Sequence, residues 1–79
     1  MSEQKLLADL VQELVDVMYE LEKKKYSRPE RSHGWVKASF ILAYGADAGH
    51  GKRQLAKTLQ RNIDETLQEM SDLYGKVEL

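Results

Sequence analysis

The sequence GWVKASFILAYGADAGHGK, residues 34–52, separates two long stretches of mixed polar and apolar residues and limits how they can pack. It contains the only Trp, the only Phe and four of the five glycines of the chain. Its first part is largely apolar, whereas Gly45, Gly49 and Gly51 follow within seven residues. Because glycine tolerates positive φ and breaks regular structure, we expect a loop at residues 45–51.

The apolar part of this stretch fits two secondary structures. Residues 36–44 alternate well enough for a strand with one apolar face. A strand needs a neighbour for its backbone hydrogen bonds, however, and no other segment of the chain has a strand pattern. We therefore favour a short middle helix over about residues 33–44, with a strand paired between two copies of the chain as the alternative.

Apolar residues recur every three or four positions on both sides of the stretch, as they do along one face of an α-helix. Before it they are Leu7, Leu10, Leu14, Val17 and Leu21. After it they are Leu55, Leu59, Ile63, Leu67 and Met70. The patterns predict long amphipathic helices over about residues 3–25 and 52–74, the first ending before Pro29. Because both would be about 34 Å long, we predict that they form an antiparallel helical hairpin.

The first predicted helix has a wider apolar face than one neighbouring helix normally covers. A chain of 79 residues also buries too little surface to be very stable as a lone monomer. We therefore predict a homodimer formed by the broad face of this helix. The predicted interface residues are Leu7, Val11, Leu14, Val15 and Met18. The predicted fold is thus a single all-α domain over residues 1–79, an antiparallel hairpin with a short middle helix, and dimeric.

Composition narrows the class of protein. There is no cysteine, which excludes disulfides and thiolate metal sites. The N-terminal residues lack a signal-peptide layout, and no apolar run approaches the roughly 20 residues that span a bilayer. From these features we expect a cytoplasmic protein with no membrane segment.

The net charge of −1 conceals a separation of charge along the chain. Residues 1–22 have a net charge of −5, residues 23–61 of +8 and residues 62–79 of −4. In an antiparallel hairpin the basic residues at the end of the first helix would lie beside those at the start of the last. Eight bases would then share one end of the molecule: Lys23, Lys24, Lys25, Arg28, Arg31, Lys52, Arg53 and Lys57. Such a basic end suits nucleic-acid phosphates or an acidic protein surface.

Candidate catalytic features are weak. An apolar run, a glycine-rich loop, Gly-Lys and a helix follow the order of a phosphate-binding loop. Five residues lie between Gly45 and Gly51 where that motif has four, and Arg53 replaces the Ser or Thr that holds magnesium. The chain also has no room for the parallel sheet of such enzymes. Neither His33 nor His50 has acidic residues at metal-ligand spacing. We therefore expect no catalytic, cofactor or metal site.

The sequence thus favours a small non-enzymatic regulatory or inhibitory protein that binds another protein through helical and aromatic surfaces. Trp, Tyr and Arg dominate binding interfaces, which selects the candidate partner-binding residues. They are Tyr26, Arg28, Arg31, Trp35, Tyr44, Lys52 and Arg53. The alternative is a nucleic-acid-binding protein that uses the basic residues in 23–37 and 52–61.

Overall fold

The computed structural model describes residues 6–75 of the chain. Three α-helices follow one another: α1 (Leu7–Lys25), α2 (Ser32–Asp47) and α3 (Lys52–Tyr74). Every element of secondary structure in the described residues is helical, which confirms the predicted all-α class. The predicted start of the first helix at residue 3 lies outside the described residues. No helix within residues 6–75 is long and apolar enough to cross a bilayer.

The middle segment is a helix, and it continues three residues beyond the predicted end at residue 44. Gly45, expected in the loop, is a buried residue of α2. A Cβ atom at Gly45 would overlap Cδ2 of Leu55, so this glycine leaves room for a side chain of α3. The connection between the two helices is therefore only residues 48–51, and within it Gly49 has a φ of 80° that favours glycine.

The two long helices run in the same direction, which corrects the predicted antiparallel hairpin. At the C-terminal end of α1, Nζ of Lys25 lies 2.9 Å from Oε2 of Glu69, near the C-terminal end of α3. Nζ of Lys24 lies 5.4 Å from the ring centroid of Tyr74, the last residue of α3. The reason is the length of α2, which at 16 residues spans about 24 Å and returns the chain to the start of α1 before α3 begins.

The core lies between α1 and its two neighbours, since α1 packs against both α2 and α3. α1 supplies most of its buried side chains, α3 supplies Leu59, Ile63 and Met70, and α2 supplies only Ala38. Gly34 lets the start of α2 approach α1, because a Cβ atom there would lie 2.6 Å from Cα of Val15. The apolar pattern of α1 therefore serves a central helix with two partners in the same chain.

This arrangement corrects the predicted dimer surface. Val11, Leu14 and Val15 are buried in the core, and Leu7 and Met18 pack against it half-buried. The apolar surface of α1 is wider than one neighbouring helix covers because two helices of the same chain cover it. Dimerisation itself stays a prediction, and it requires a different surface.

Candidate partner-binding face

α2 exposes a row of large apolar side chains. Val36, Phe40 and Tyr44 follow one another at intervals of four residues, which places them along one side of the helix. Their exposed fractions are 53%, 54% and 67%. The rings of Phe40 and Tyr44 stack with centroids 5.8 Å apart and planes inclined by 14°. We call these three residues the α2 face.

A groove of about 650 Å³ runs beside the α2 face, between α2 and α3. Phe40, Ile41 and Tyr44 supply apolar side chains to its α2 wall, and Gln54, Thr58 and Asn62 line its α3 wall with polar groups. Lys37, His50 and Arg61 also line it. None of the lining residues is acidic. We call this feature the α2–α3 groove.

The start of α3 adds positive potential next to the α2–α3 groove. Lys52 and Arg53 are its first two residues and are exposed, and its first turn contains no acidic residue. The N-terminus of a helix carries a partial positive charge, so basic residues there destabilise the helix whereas acidic residues would stabilise it. No side chain caps this terminus, either.

The predicted single basic end is not formed. Because α1 and α3 are parallel, the bases near residues 23–31 lie at the opposite end of α3 from Lys52, Arg53 and Lys57. At 1.5 Å per residue, α3 separates its two ends by about 33 Å. The sequence could not reveal this, because the same charges share one end or occupy two ends depending on the direction of α3.

The bases at the end of α1 also make contacts inside the chain. Lys23 pairs with Glu20 at 3.0 Å, and Lys25 pairs with Glu69. The guanidinium carbon of Arg31 lies 4.0 Å from the ring centroid of Tyr19, within cation–π distance. Part of the predicted basic cluster, namely Lys23, Lys25 and Arg31, therefore contacts other side chains of the same chain.

The remaining candidate residues are distributed over the surface. Tyr26 and Arg28 are exposed in the connection between α1 and α2, and Trp35 is 46% exposed in the first turn of α2. Trp35 and Tyr44 are nine residues apart, which at about 100° per residue places them on opposite sides of α2. The structure therefore does not join Trp35 to the α2 face. Of the predicted binding residues, Tyr44 belongs to this face, and Lys52 and Arg53 lie near its C-terminal end.

Sequence patterns did not select Val36 or Phe40 as binding residues, and they included Lys37 and Arg61 only in the nucleic-acid alternative. The spacing of Val36, Phe40 and Tyr44 was a usable signal. Once residues 35–44 are known to be helical, three large apolar side chains four residues apart define one face. What the sequence could not reveal is that this face points away from α1.

A second polar cluster lies where α1 and α2 meet. Glu22 is buried, and its Oε1 accepts a hydrogen bond from Nδ1 of His33. Nε2 of His33 lies 3.7 Å from Oε2 of Glu30. Oε2 of Glu22 has no hydrogen-bond partner among the described residues. The hydrogen bond and the charge of Glu22 raise the pKa of His33, and Glu30 adds to the effect.

We expect this cluster to make stability depend on pH. Because the folded state raises the pKa of His33, the contribution is fully present below the unfolded value of about 6.5 and is lost as pH rises through the higher folded value. Thermal melts of the wild type and His33→Gln between pH 5.5 and pH 8.5 would measure it. The wild type should lose its advantage over the variant as pH rises above about 6.5. A constant difference across this range would contradict the prediction.

Within residues 6–75, no group of three or more His, Cys, Asp or Glu side chains is arranged to hold a metal ion. The groups that the structure brings together are thus the apolar α2 face, the groove beside it and the basic start of α3. No protein-family model matches the chain, and no curated protein and no solved structure is significantly similar to it.

Proposed function

We propose that this chain is a small non-enzymatic regulatory or inhibitory protein that acts by binding another protein through the α2 face. The observation that carries the proposal is the exposure of Val36, Phe40 and Tyr44 in one continuous row. Single exposed apolar side chains are normal on soluble proteins, whereas an exposed row of large ones is typical of an interaction site. Aromatic residues are also enriched among those that dominate binding energy.

The division of buried side chains among the helices supports the same proposal. α2 contributes one buried apolar side chain, Ala38, whereas α1 and α3 supply the others. The large side chains of the α2 face are therefore not needed to fill the core. Each exposes more than half of its surface to water. Burying this surface against a partner would contribute about 25 cal/mol of binding free energy per Å² of apolar area.

The alternative of nucleic-acid binding is weaker on this arrangement. It relied on bases from 23–37 and 52–61 acting together, but the parallel direction of α1 and α3 separates most of them. The segment 52–61 keeps four bases and no acid, which is the remaining support for phosphate contacts. A mobility shift at low salt that disappears along a steep salt dependence would favour this alternative.

Loss of partner capture in Phe40→Glu is the expected result that tests the proposal. Placing a charge in the centre of an interface removes an aromatic contact and desolvates a carboxylate, so we expect at least about 30-fold weaker capture, equivalent to 2 kcal/mol. The measurement is quantitative mass spectrometry of proteins captured from the native host by the wild type and the variant.

Leu73→Glu is the matched control, because Leu73 is 56% exposed and lies near the end of α3, away from the α2 face. We expect it to capture the same partner as the wild type. Circular dichroism should show that both variants keep their helices. If Phe40→Glu, still folded, captured the partner as well as Leu73→Glu, the α2 face would not be the binding surface.

A further inference from the structure

The charge and shape of the α2–α3 groove narrow the kind of protein segment that the α2 face would bind. The groove has apolar side chains on one wall, two basic residues and a histidine around it and no acidic lining residue. We propose that it binds an acidic amphipathic helix of a partner protein. This inference rests on the proposed function and specifies the partner of the same site.

The dimensions of the groove suit a short helix. Along α2 the groove extends from Lys37 to Ala48, which at 1.5 Å per residue is about 16 Å, or three helical turns. No described residue forms a strand, so residues 6–75 offer no sheet edge to which an extended peptide could add. An elongated groove between two helices with apolar side chains on one wall suits the apolar side of an amphipathic helix.

The positions of the basic residues indicate where acidic groups of the partner would lie. Lys37 in the first half of α2 and Arg61 in the middle of α3 line the groove, as does His50 in the connection between these helices. Lys52 and Arg53 lie just beyond His50 at the positive end of the α3 dipole. An acidic residue near each end of the bound helix would therefore meet positive charge.

Arg61 also has a partner within its own chain, since its Nε lies 3.6 Å from Oε1 of Glu65. Both side chains are 68% exposed, and exposed pairs of this kind contribute little to stability. A carboxylate of the partner can replace Glu65 at small cost. The ion pair therefore leaves Arg61 available to the groove.

A second copy of this chain fits the groove less well. Two copies that paired through this surface would bring together two grooves that are each lined by Lys37 and Arg61 and by no acidic residue. Like charges close together reduce affinity and suppress such pairing. Charge therefore favours an acidic partner over self-association.

The experiment uses two synthetic 16-residue helical peptides that carry leucines at positions 3, 6, 7, 10 and 14 and otherwise differ only in charge. One has glutamates on either side of the leucine row, and the other has lysines at the same positions. Binding of each to the full chain is measured by fluorescence anisotropy at two salt concentrations. We expect the acidic peptide to bind at least about 10-fold more tightly than the basic one, with the difference shrinking as salt rises.

Charge reversal in the groove provides the decisive comparison. Lys37→Glu combined with Arg61→Glu should weaken binding of the acidic peptide about 10-fold and strengthen binding of the basic one. Lys24→Glu combined with Arg28→Glu makes the same change in net charge at the other end of α3. We expect this control to alter each affinity by no more than about 2-fold, because screening limits distant charges.

Several results would overturn the inference. They are equal binding of the two peptides by the wild type, binding of neither, and equal effects of the two double variants. Sedimentation that shows a dimer lost in Phe40→Glu would assign the groove to a second copy. Tighter binding of a 20-nucleotide single strand, lost in the groove variant, would assign it to phosphates. After any of these results, the proposed function would still stand if Phe40→Glu abolished capture of the native partner. If Phe40→Glu did not abolish capture, the proposed function and the acidic-helix inference would both be wrong.

Discussion

Val15→Glu is expected to destabilise the fold severely. Val15 is completely buried in the middle of α1, where Gly34 of α2 packs against it. The substitution removes about 1.5–3 kcal/mol of apolar burial and places a carboxylate in the apolar core. A chain of 79 residues has roughly 4–12 kcal/mol of stability in total. We expect a loss of at least about 4 kcal/mol, which is the whole stability at the lower end of this range and a third of it at the upper end.

Circular dichroism at 222 nm and urea denaturation would measure this effect. Val36→Glu is the matched control, because it makes the same chemical change at a valine that is 53% exposed on α2. Surface substitutions usually change stability by no more than about 0.5 kcal/mol, so this control should remain folded.

The same substitution distinguishes a core role of Val15 from a role in a dimer. If Val15 lay at a dimer interface, Val15→Glu would produce a folded monomer from a dimeric wild type. Sedimentation velocity of both proteins reports this directly. A monomeric Val15→Glu protein as stable as the Val36→Glu control would contradict the packing of Val15 in the core.

The sequence predicted the long helices because their apolar spacing is a local signal that neighbouring segments do not change. It predicted α2 less well, since residues 35–44 satisfy the spacing of a helix and of a strand. The deciding factor was the lack of a second strand. Once α2 is a helix of 16 residues, the direction of α3 follows from its length. The predicted antiparallel hairpin did not allow for this return of the chain along α2.

The site was harder to predict than the fold because it depends on direction and exposure. Leu14 and Phe40 are both large apolar residues in helical patterns, yet one is completely buried and the other is 54% exposed. Nothing local distinguishes them. What distinguishes Leu14 from Phe40 is the number of helices that pack against each residue, and that number is set by the tertiary structure. The separation of Lys25 from Lys52 is likewise set by the path of α2.

Gly34 and Gly45 are both buried glycines within α2, and the sequence offers no way to rank them. A Cβ atom at Gly34 would lie 2.6 Å from Cα of Val15, a main-chain atom at the centre of the central helix. A Cβ atom at Gly45 would meet Cδ2 of Leu55, the tip of a half-buried side chain in the first turn of α3. A side chain can rotate away, whereas a main-chain atom moves only if a helix moves.

We therefore expect Gly34→Ala to destabilise the fold and Gly45→Ala to leave it nearly unchanged. Overpacking costs about 1–3 kcal/mol, against a gain of roughly 0.5–1 kcal/mol from replacing glycine inside a helix. For Gly34→Ala the net loss should be about 1–2 kcal/mol, a decrease in Tm of roughly 4–16 °C. For Gly45→Ala the rotation of Leu55 and the helix gain should nearly cancel, within about 1 kcal/mol.

Urea denaturation of the wild type and both alanine variants measures the difference in stability. The comparison is matched because both variants replace glycine with alanine in the same helix. The shift of α2 away from α1 should also disturb the pair between Glu22 and His33, the neighbour of Gly34, so Gly34→Ala should flatten the pH dependence of stability. Gly45→Ala, at the far end of α2, should leave that dependence intact. If Gly34→Ala were as stable as Gly45→Ala, α2 would not approach the backbone of Val15, because only that approach makes the two glycines unequal.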